Sequence, residues 1–203
     1  MDKRLWLLIL SDVLILSSFG LIGPIFAIFI MSDLEGGSIV TAGLATTVFL
    51  VVKSVVQLPL SRFFIDKEKH KTHSLLLGTL LIITVPFIYT SANHVNTIFL
   101  AQAIYGLGAA MAYPSWFDLF TAYMDKKHRG FEYTIWATGT GLGVALSAYL
   151  GAEAAERLGF DYLFFVVGGV AFLGFLLLII LDRIDGRRAK ASFKYSLRNR
   201  IKR

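Results

Sequence analysis

Three ionisable side chains stand inside stretches that are otherwise apolar: Asp12 in LILSDVLILSSF, Lys53 in VFLVVKSVVQLPL and Asp118 in YPSWFDLF. A lone charge in a run long enough to cross a bilayer costs roughly 2.5 to 3.5 kcal/mol on insertion scales, so it faces a partner or water. The chemistry open to such groups is ion pairing, reversible protonation, or exchange of a partner as a solute moves. Counted from the charged ends at about 1.5 Å per residue, Asp12 lies about 10 Å deep and Lys53 about 16 Å. A lysine stem spans that difference, so an Asp12–Lys53 ion pair is expected if their helices are neighbours. It would be either a static packing pair or a pair that changes state. Asp118 lies close to a charged end, where pairing with Lys126, Lys127 or Arg129 is expected.

Other chemistries lack their residues. The chain has no cysteine, which removes disulfides, thiolate sites and thiol nucleophiles. It shows no P-loop, HExxH or GxSxG pattern. His70, His73, His94 and His128 fall in loops or at their edges. The sequence gives no basis for an enzyme, and neither a metal nor another cofactor is expected.

The elements that must position these groups are transmembrane helices. Of the 203 residues, 56% are hydrophobic and 17% charged, against about 45 to 50% and about 25% in soluble chains. The apolar residues come in blocks of about 20, the length that spans a hydrocarbon core. We expect an all-α membrane protein with six transmembrane helices over residues 5–31, 39–64, 74–90, 96–124, 132–151 and 162–181. The first is too long for a signal-peptide core and is read as a retained helix. Residues 1–182 form the transmembrane domain and 183–203 a basic tail.

Of the 20 Lys and Arg residues, eighteen fall at the chain ends and in the even-numbered connections; Arg157 is on the other side and Lys53 within a helix. The positive-inside rule places both termini in the cytoplasm. The cell (plasma) membrane is the expected location. Phe193, Tyr195, Leu197 and Ile201 are interspersed among the tail's cations, a pattern suited to anionic lipid headgroups. No base-reading motif accompanies the net charge of +6, so nucleic acid is not an expected partner.

Helical periodicity groups the polar residues. Thr46, Lys53 and Gln57 share a face of the second helix, and Asp12, Phe19, Gly23 and Phe26 a face of the first. In the fourth, Gln102, Tyr105, Ala109, Ala112, Trp116 and Phe120 lie within one arc, with Tyr113 at its edge. That arc is either ordinary helix packing or a cavity wall that stacks on an organic ligand. Asp12, Lys53, Gln57, Thr46, Gln102, Tyr105 and Trp116 are the substrate or proton candidates. In the fifth helix Gly139, Gly143, Ser147 and Gly151 recur every four residues. Such a row lets another helix approach closely, within the chain or across an interface.

The ordered set of features resembles one half of a major facilitator superfamily transporter. The loop QLPLSRFFIDKEKHKTHSLLLG, with Asp66 and Lys67, is similar to the family's signature loop. QAIYGLGAAMAYPSWFDLFTAYMDKKHRGFEY resembles the second signature through Gly106, Leu107, Gly108, Ala109, Pro114, Arg129 and Gly130, and LGFDYLFFVVGGVAFLGFLLL the usual entry into helix 6. The likeness covers residues 5–182. Arg62 stands where the pattern has a glycine, Gln102 where helix 4 has an arginine, and helix 5 lacks the glycine-proline pair of antiporters.

The resemblance implies a six-helix half with a 3+3 inverted repeat, whereas familiar members have twelve helices around a central cavity. It therefore implies a secondary active transporter of a small solute. Two parallel copies would work by alternating access, with protonation of Asp12, modulated by Lys53, as the coupling step. The row of Gly139, Gly143, Ser147 and Gly151 would then meet the second helix of the partner copy. The alternative is a non-transporting accessory or regulatory module that pairs with another six-helix chain. A half cut from a longer chain is a third reading.

Overall fold

The computed structural model describes residues 2–62 and 71–201, with side chains through residue 186. The signature-loop residues Asp66 and Lys67 lie outside the described residues.

The first crossing, Lys3–Asp33, is broken once. Helix α1 (Lys3–Gly20) starts on Asp2, whose side chain accepts the Arg4 N–H at 3.0 Å. It ends because Pro24 has no N–H to donate and its ring would collide with the carbonyl four residues back, that of Gly20. A single 3-10 turn, Gly23–Ile25, carries the chain into α2 (Phe26–Asp33).

Helix α3 (Ile39–Leu60) opens with a reciprocal cap. The Ser38 hydroxyl accepts the Thr41 N–H at 3.1 Å, and the Thr41 hydroxyl accepts the Ser38 N–H at 2.7 Å, which satisfies two donors the helix itself leaves open. Helices α4 (Lys71–Thr90), α5 (Val95–Tyr123), α6 (Arg129–Leu158) and α7 (Phe160–Ile201) complete the chain. The His94 side chain caps α5 by accepting the Asn96 N–H at 3.3 Å. Two loops on that side are joined through backbone bonds from Glu35 to Asn93 and from Val95 to Glu35.

Two elements run further than the sequence suggests. The expected connection AEAAERL is the last two turns of α6, because Ala, Glu, Arg and Leu are strong helix formers. The turn comes at Gly159, with φ of +85°, a conformation that disfavours a side chain. The last helix was expected to stop at residue 181, but its backbone continues to Ile201 through a segment free of proline.

Five of the described segments are long and apolar enough to cross a membrane, the first being α1 and α2 together. Helix α6 is long enough but its many Gly, Ser and Thr residues make it less apolar. Helix α1 packs on α6 and α7, α5 packs on α3 and α4, and α4 and α7 meet behind them.

Close approach at these seams depends on small residues. A Cβ on Gly78 would run into α5 at Gly108 and Ala112, and one on Gly108 into α4 at Gly78 and Ile82. A Cβ on Gly174 of α7 would lie 2.8 Å from the Ser11 carbonyl oxygen of α1. One on Gly106 of α5 would lie 2.8 Å from the Phe49 carbonyl oxygen of α3.

The four-residue row of α6 meets α1 of the same chain. Side chains added at Gly143 and Gly151 would strike Ser17 and the Leu21 carbonyl, and Gly20 of α1 sits against Val144 and Ser147. The expectation that this row faces a partner copy is therefore corrected: the close seam is intramolecular. In lipid, where apolar association has no hydrophobic drive, such close packing is a main source of helix contact.

Candidate functional site

Helices α1 and α5 present their polar residues on one side of the bundle, with α3 flanking α5 and α6 flanking α1. Two adjoining cavities open there and share Tyr113 and Phe117.

The first has a volume of about 360 Å³ and is lined by Asp12, Leu16, Tyr113, Trp116, Phe117 and Trp136. The indole N–H of Trp136 donates to Asp12 Oδ2 at 2.7 Å. The Trp116 ring lies 5.1 Å from that of Trp136 and stacks on Phe120 at 4.6 Å, while its N–H donates to the Leu8 carbonyl at 3.4 Å. Asp12 is thus the one charged group among aromatic walls whose positions are fixed by bonds and stacking.

The second cavity, about 530 Å³, is polar and includes Lys53, Gln57, Ser61, Lys71 and Asp118. Lys53 Nζ sits 4.5 Å from the centroid of the Tyr113 ring, a cation–π position. Asp118 pairs with Lys71 of α4 at 2.7 Å.

Two expected pairings are corrected. Asp12 and Lys53 form no ion pair: α1 packs on α6 and α7 whereas α3 packs on α5, so the two chains approach Tyr113 from different neighbours. Asp118 pairs with the start of α4, not with Lys126, Lys127 or Arg129. It thereby belongs to the cavity of Lys53.

Gln102 and Tyr105 lie further along α5. The Tyr105 ring is enclosed by Phe19 of α1, stacked at 5.0 Å, and Phe49 of α3 at 4.5 Å. Beyond this three-ring layer a cavity of about 180 Å³ is lined by Phe19, Phe26, Tyr89, Gln102 and Tyr105. Gln102 is buried and its Oε1 accepts no hydrogen bond among the described residues. Thr46 stands apart from these groups. Its hydroxyl donates to the Ala42 carbonyl of its own helix at 3.4 Å.

Trp136 was missing from the sequence candidates. The signal was available, since Trp136 lies seven residues before Gly143 and so on the same face of α6 as the small-residue row. Tyr113, read as marginal to its arc, is the residue common to both cavities.

A protein-family model described as Major Facilitator Superfamily matches residues 8–200. This chain belongs to the major facilitator superfamily. Among solved structures, this superfamily member is similar to the POT family transporter PepTSo, with a TM-score of 0.76 at 14% identity over 90% of this chain and 38% of that one. It is also similar to an auto-inhibited POT family peptide transporter, with a TM-score of 0.74 at 12% identity over 90% of this chain and 37% of that one. No curated protein matches. The superfamily fold is shown, and the chain spans about two-fifths of the length of these structures.

Proposed function

We propose that this chain is one half of a secondary active transporter for a small solute, and that a second, parallel copy supplies the other half. The observation that carries this reading is that Asp12, Lys53, Gln57, Tyr113 and Trp136 are gathered on one open side of the bundle. Polar groups at membrane depth that stand on an open side of the bundle, with Asp12 held by Trp136 and Lys53 over Tyr113, line a water-filled path or a partner surface. Exposed apolar side chains such as Leu50 of α3 and Leu142 of α6, on the helices that carry Lys53 and Trp136, supply the surface for the partner.

Helix contacts support a 3+3 inverted repeat. Exchange of α1 with α5, α3 with α6 and α4 with α7 converts the α1–α6 contact into α5–α3 and the α1–α7 contact into α5–α4, and it leaves α4–α7 unchanged. The distribution of Lys and Arg supports cytoplasmic termini, and the membrane proposed is the cell membrane. The transmembrane unit comprises residues 1–182, and the basic stretch 183–203 rests on anionic lipid. The cycle rocks two bundles about a central site, with Asp12 carrying the coupling proton, and performs no covalent chemistry.

Alternating access predicts that the Asp12 cavity opens to each side of the membrane in turn. Because the chain has no native cysteine, Leu16→Cys provides a unique thiol in that cavity. A membrane-impermeant maleimide is expected to label it in both right-side-out and inside-out vesicles. Labelling from neither side, or from one side only, contradicts the reading.

A further inference from the structure

We infer that the cavity around Asp12 binds an organic monocation with apolar flanks, held by the Asp12 carboxylate and the faces of Trp116 and Trp136. This deepens the transporter reading by naming the substrate class, and it rests on that reading for its role in transport.

Asp12 accepts one hydrogen bond among the described residues, from Trp136 at 2.7 Å, and has no cationic side chain within ion-pairing distance. Its surroundings are Leu16, Tyr113, Trp116, Phe117 and Trp136. A carboxylate set at membrane depth among apolar and aromatic walls without a counter-charge is unfavourable, so the site calls for a proton or a cation. Aromatic faces attract cations through their quadrupoles, most strongly for Trp, and more so once water is excluded.

The cavity selects against other ligands. Its volume of about 360 Å³ falls within the usual range of about 300 to 1,000 Å³ for small-molecule sites. A hard metal ion would need several oxygen ligands, and the described residues contain no group of three His, Cys, Asp or Glu placed to hold one. An anion would meet Asp12 directly. A neutral polar solute would leave the carboxylate uncompensated. An alkylated or aromatic ammonium matches both the charge and the walls.

Proton and cation then compete for one carboxylate. The groups facing Asp12 from the packed helices are Tyr113 and Trp116 of α5, Trp136 of α6, Thr79 of α4 and Leu178 of α7. Lys53 of α3 lies over the Tyr113 ring in the adjoining cavity. Binding of the cation is therefore expected to weaken as Asp12 takes up a proton, which couples movement of the cation to movement of a proton in the opposite direction.

The probe is benzyltrimethylammonium, whose charge is independent of pH, with its uncharged carbon isostere neopentylbenzene as control. Binding to the purified full chain is read by quenching of tryptophan fluorescence, with Trp6, outside the cavity, replaced by Phe. Saturable binding is expected for the cation and not for the isostere, weaker by at least tenfold in Asp12→Asn and progressively weaker as pH is lowered. Trp116→Leu is expected to weaken it severalfold, and Gly141→Ala, where an added Cβ meets nothing within 4 Å, to retain it.

No saturable binding of the cation, equal binding of the isostere, or an unchanged affinity in Asp12→Asn overturns the inference. Thermal unfolding separates loss of the site from loss of the fold for each variant. Cation binding without gradient-driven uptake in liposomes would sustain the site and defeat the transporter reading. Gradient-driven uptake of another solute without cation binding would do the reverse.

Discussion

The indole N–H of Trp136 reaches Asp12 across the α6–α1 seam at 2.7 Å, on the same face of α6 that carries Gly139 and Gly143. The small residues bring the two helices together, and the tryptophan then fixes the carboxylate at the edge of the cavity. Packing and site geometry therefore depend on each other at this seam.

The Trp136–Asp12 bond should appear as a coupling energy. A hydrogen bond to a charged group contributes about 1.5 to 3 kcal/mol. Trp136→Phe keeps the ring and removes the donor, while Asp12→Asn removes the charge. A double-mutant cycle on unfolding in detergent is expected to show a coupling of about 1 to 2 kcal/mol, within the usual range for contacting residues. Additive effects would show that the bond does not operate in the folded protein.

The α6–α1 seam should reject side chains at defined positions. Gly151→Val is expected to destabilise the bundle, by about 1 to 3 kcal/mol for overpacking alone, because the added atoms would strike the Leu21 backbone, which cannot turn aside. Gly141→Ala is expected to be neutral or slightly stabilising, since nothing lies within 4 Å of an added Cβ there and alanine is the better helix former. Thermal midpoints of the two variants test this contrast.

We expect the Phe19–Tyr105–Phe49 layer to separate the Gln102 cavity from the groups around Asp12, since Phe19 and Tyr105 wall that cavity. Tyr105→Ala removes the central ring and should open a route between them. Labelling of Leu16→Cys from the side remote from the charged loops is expected to become severalfold faster in that background. An unchanged rate would show that the three rings are packing and not a barrier.

The loop between α5 and α6 provides a pH test outside the membrane. The Asp125 carboxylate accepts the Lys127 N–H at 2.9 Å and lies 3.3 Å from the His128 ring; these contacts hold its pKa below the usual carboxylate value. A carboxyl group depressed on folding contributes stability above its unfolded pKa of about 3.8, and that contribution is lost as pH falls through the lower folded value. Amide exchange at Lys127 is expected to gain protection above pH 4 relative to an Asp125→Asn variant, and the difference should vanish in stronger acid.

The helices were legible because apolar blocks of spanning length and a one-sided distribution of Lys and Arg leave few alternatives for this composition. The polar stripes were legible as faces, but a stripe gives a helix's rotation and not its neighbour. That is why Asp12 was matched with Lys53, when the structure gives Asp12 to Trp136 and Lys53 to Tyr113. The row of small residues in α6 forecast a close seam and could not say whose. The segment AEAAERL falls between the expected fifth and sixth helices, although its residue types favour a helix and Gly159 is the breaker.

The central claim is that a second, parallel copy closes the open side of the bundle with its α3 against α6 of the first. Leu50→Cys on α3 and Leu142→Cys on α6, both at exposed positions, test it in a background free of native cysteine. With the two single variants co-expressed in membranes, a short bis-maleimide is expected to give a covalent heterodimer of the two labelled chains. No intermolecular product, in membranes where the purified protein is also strictly monomeric, would contradict the account.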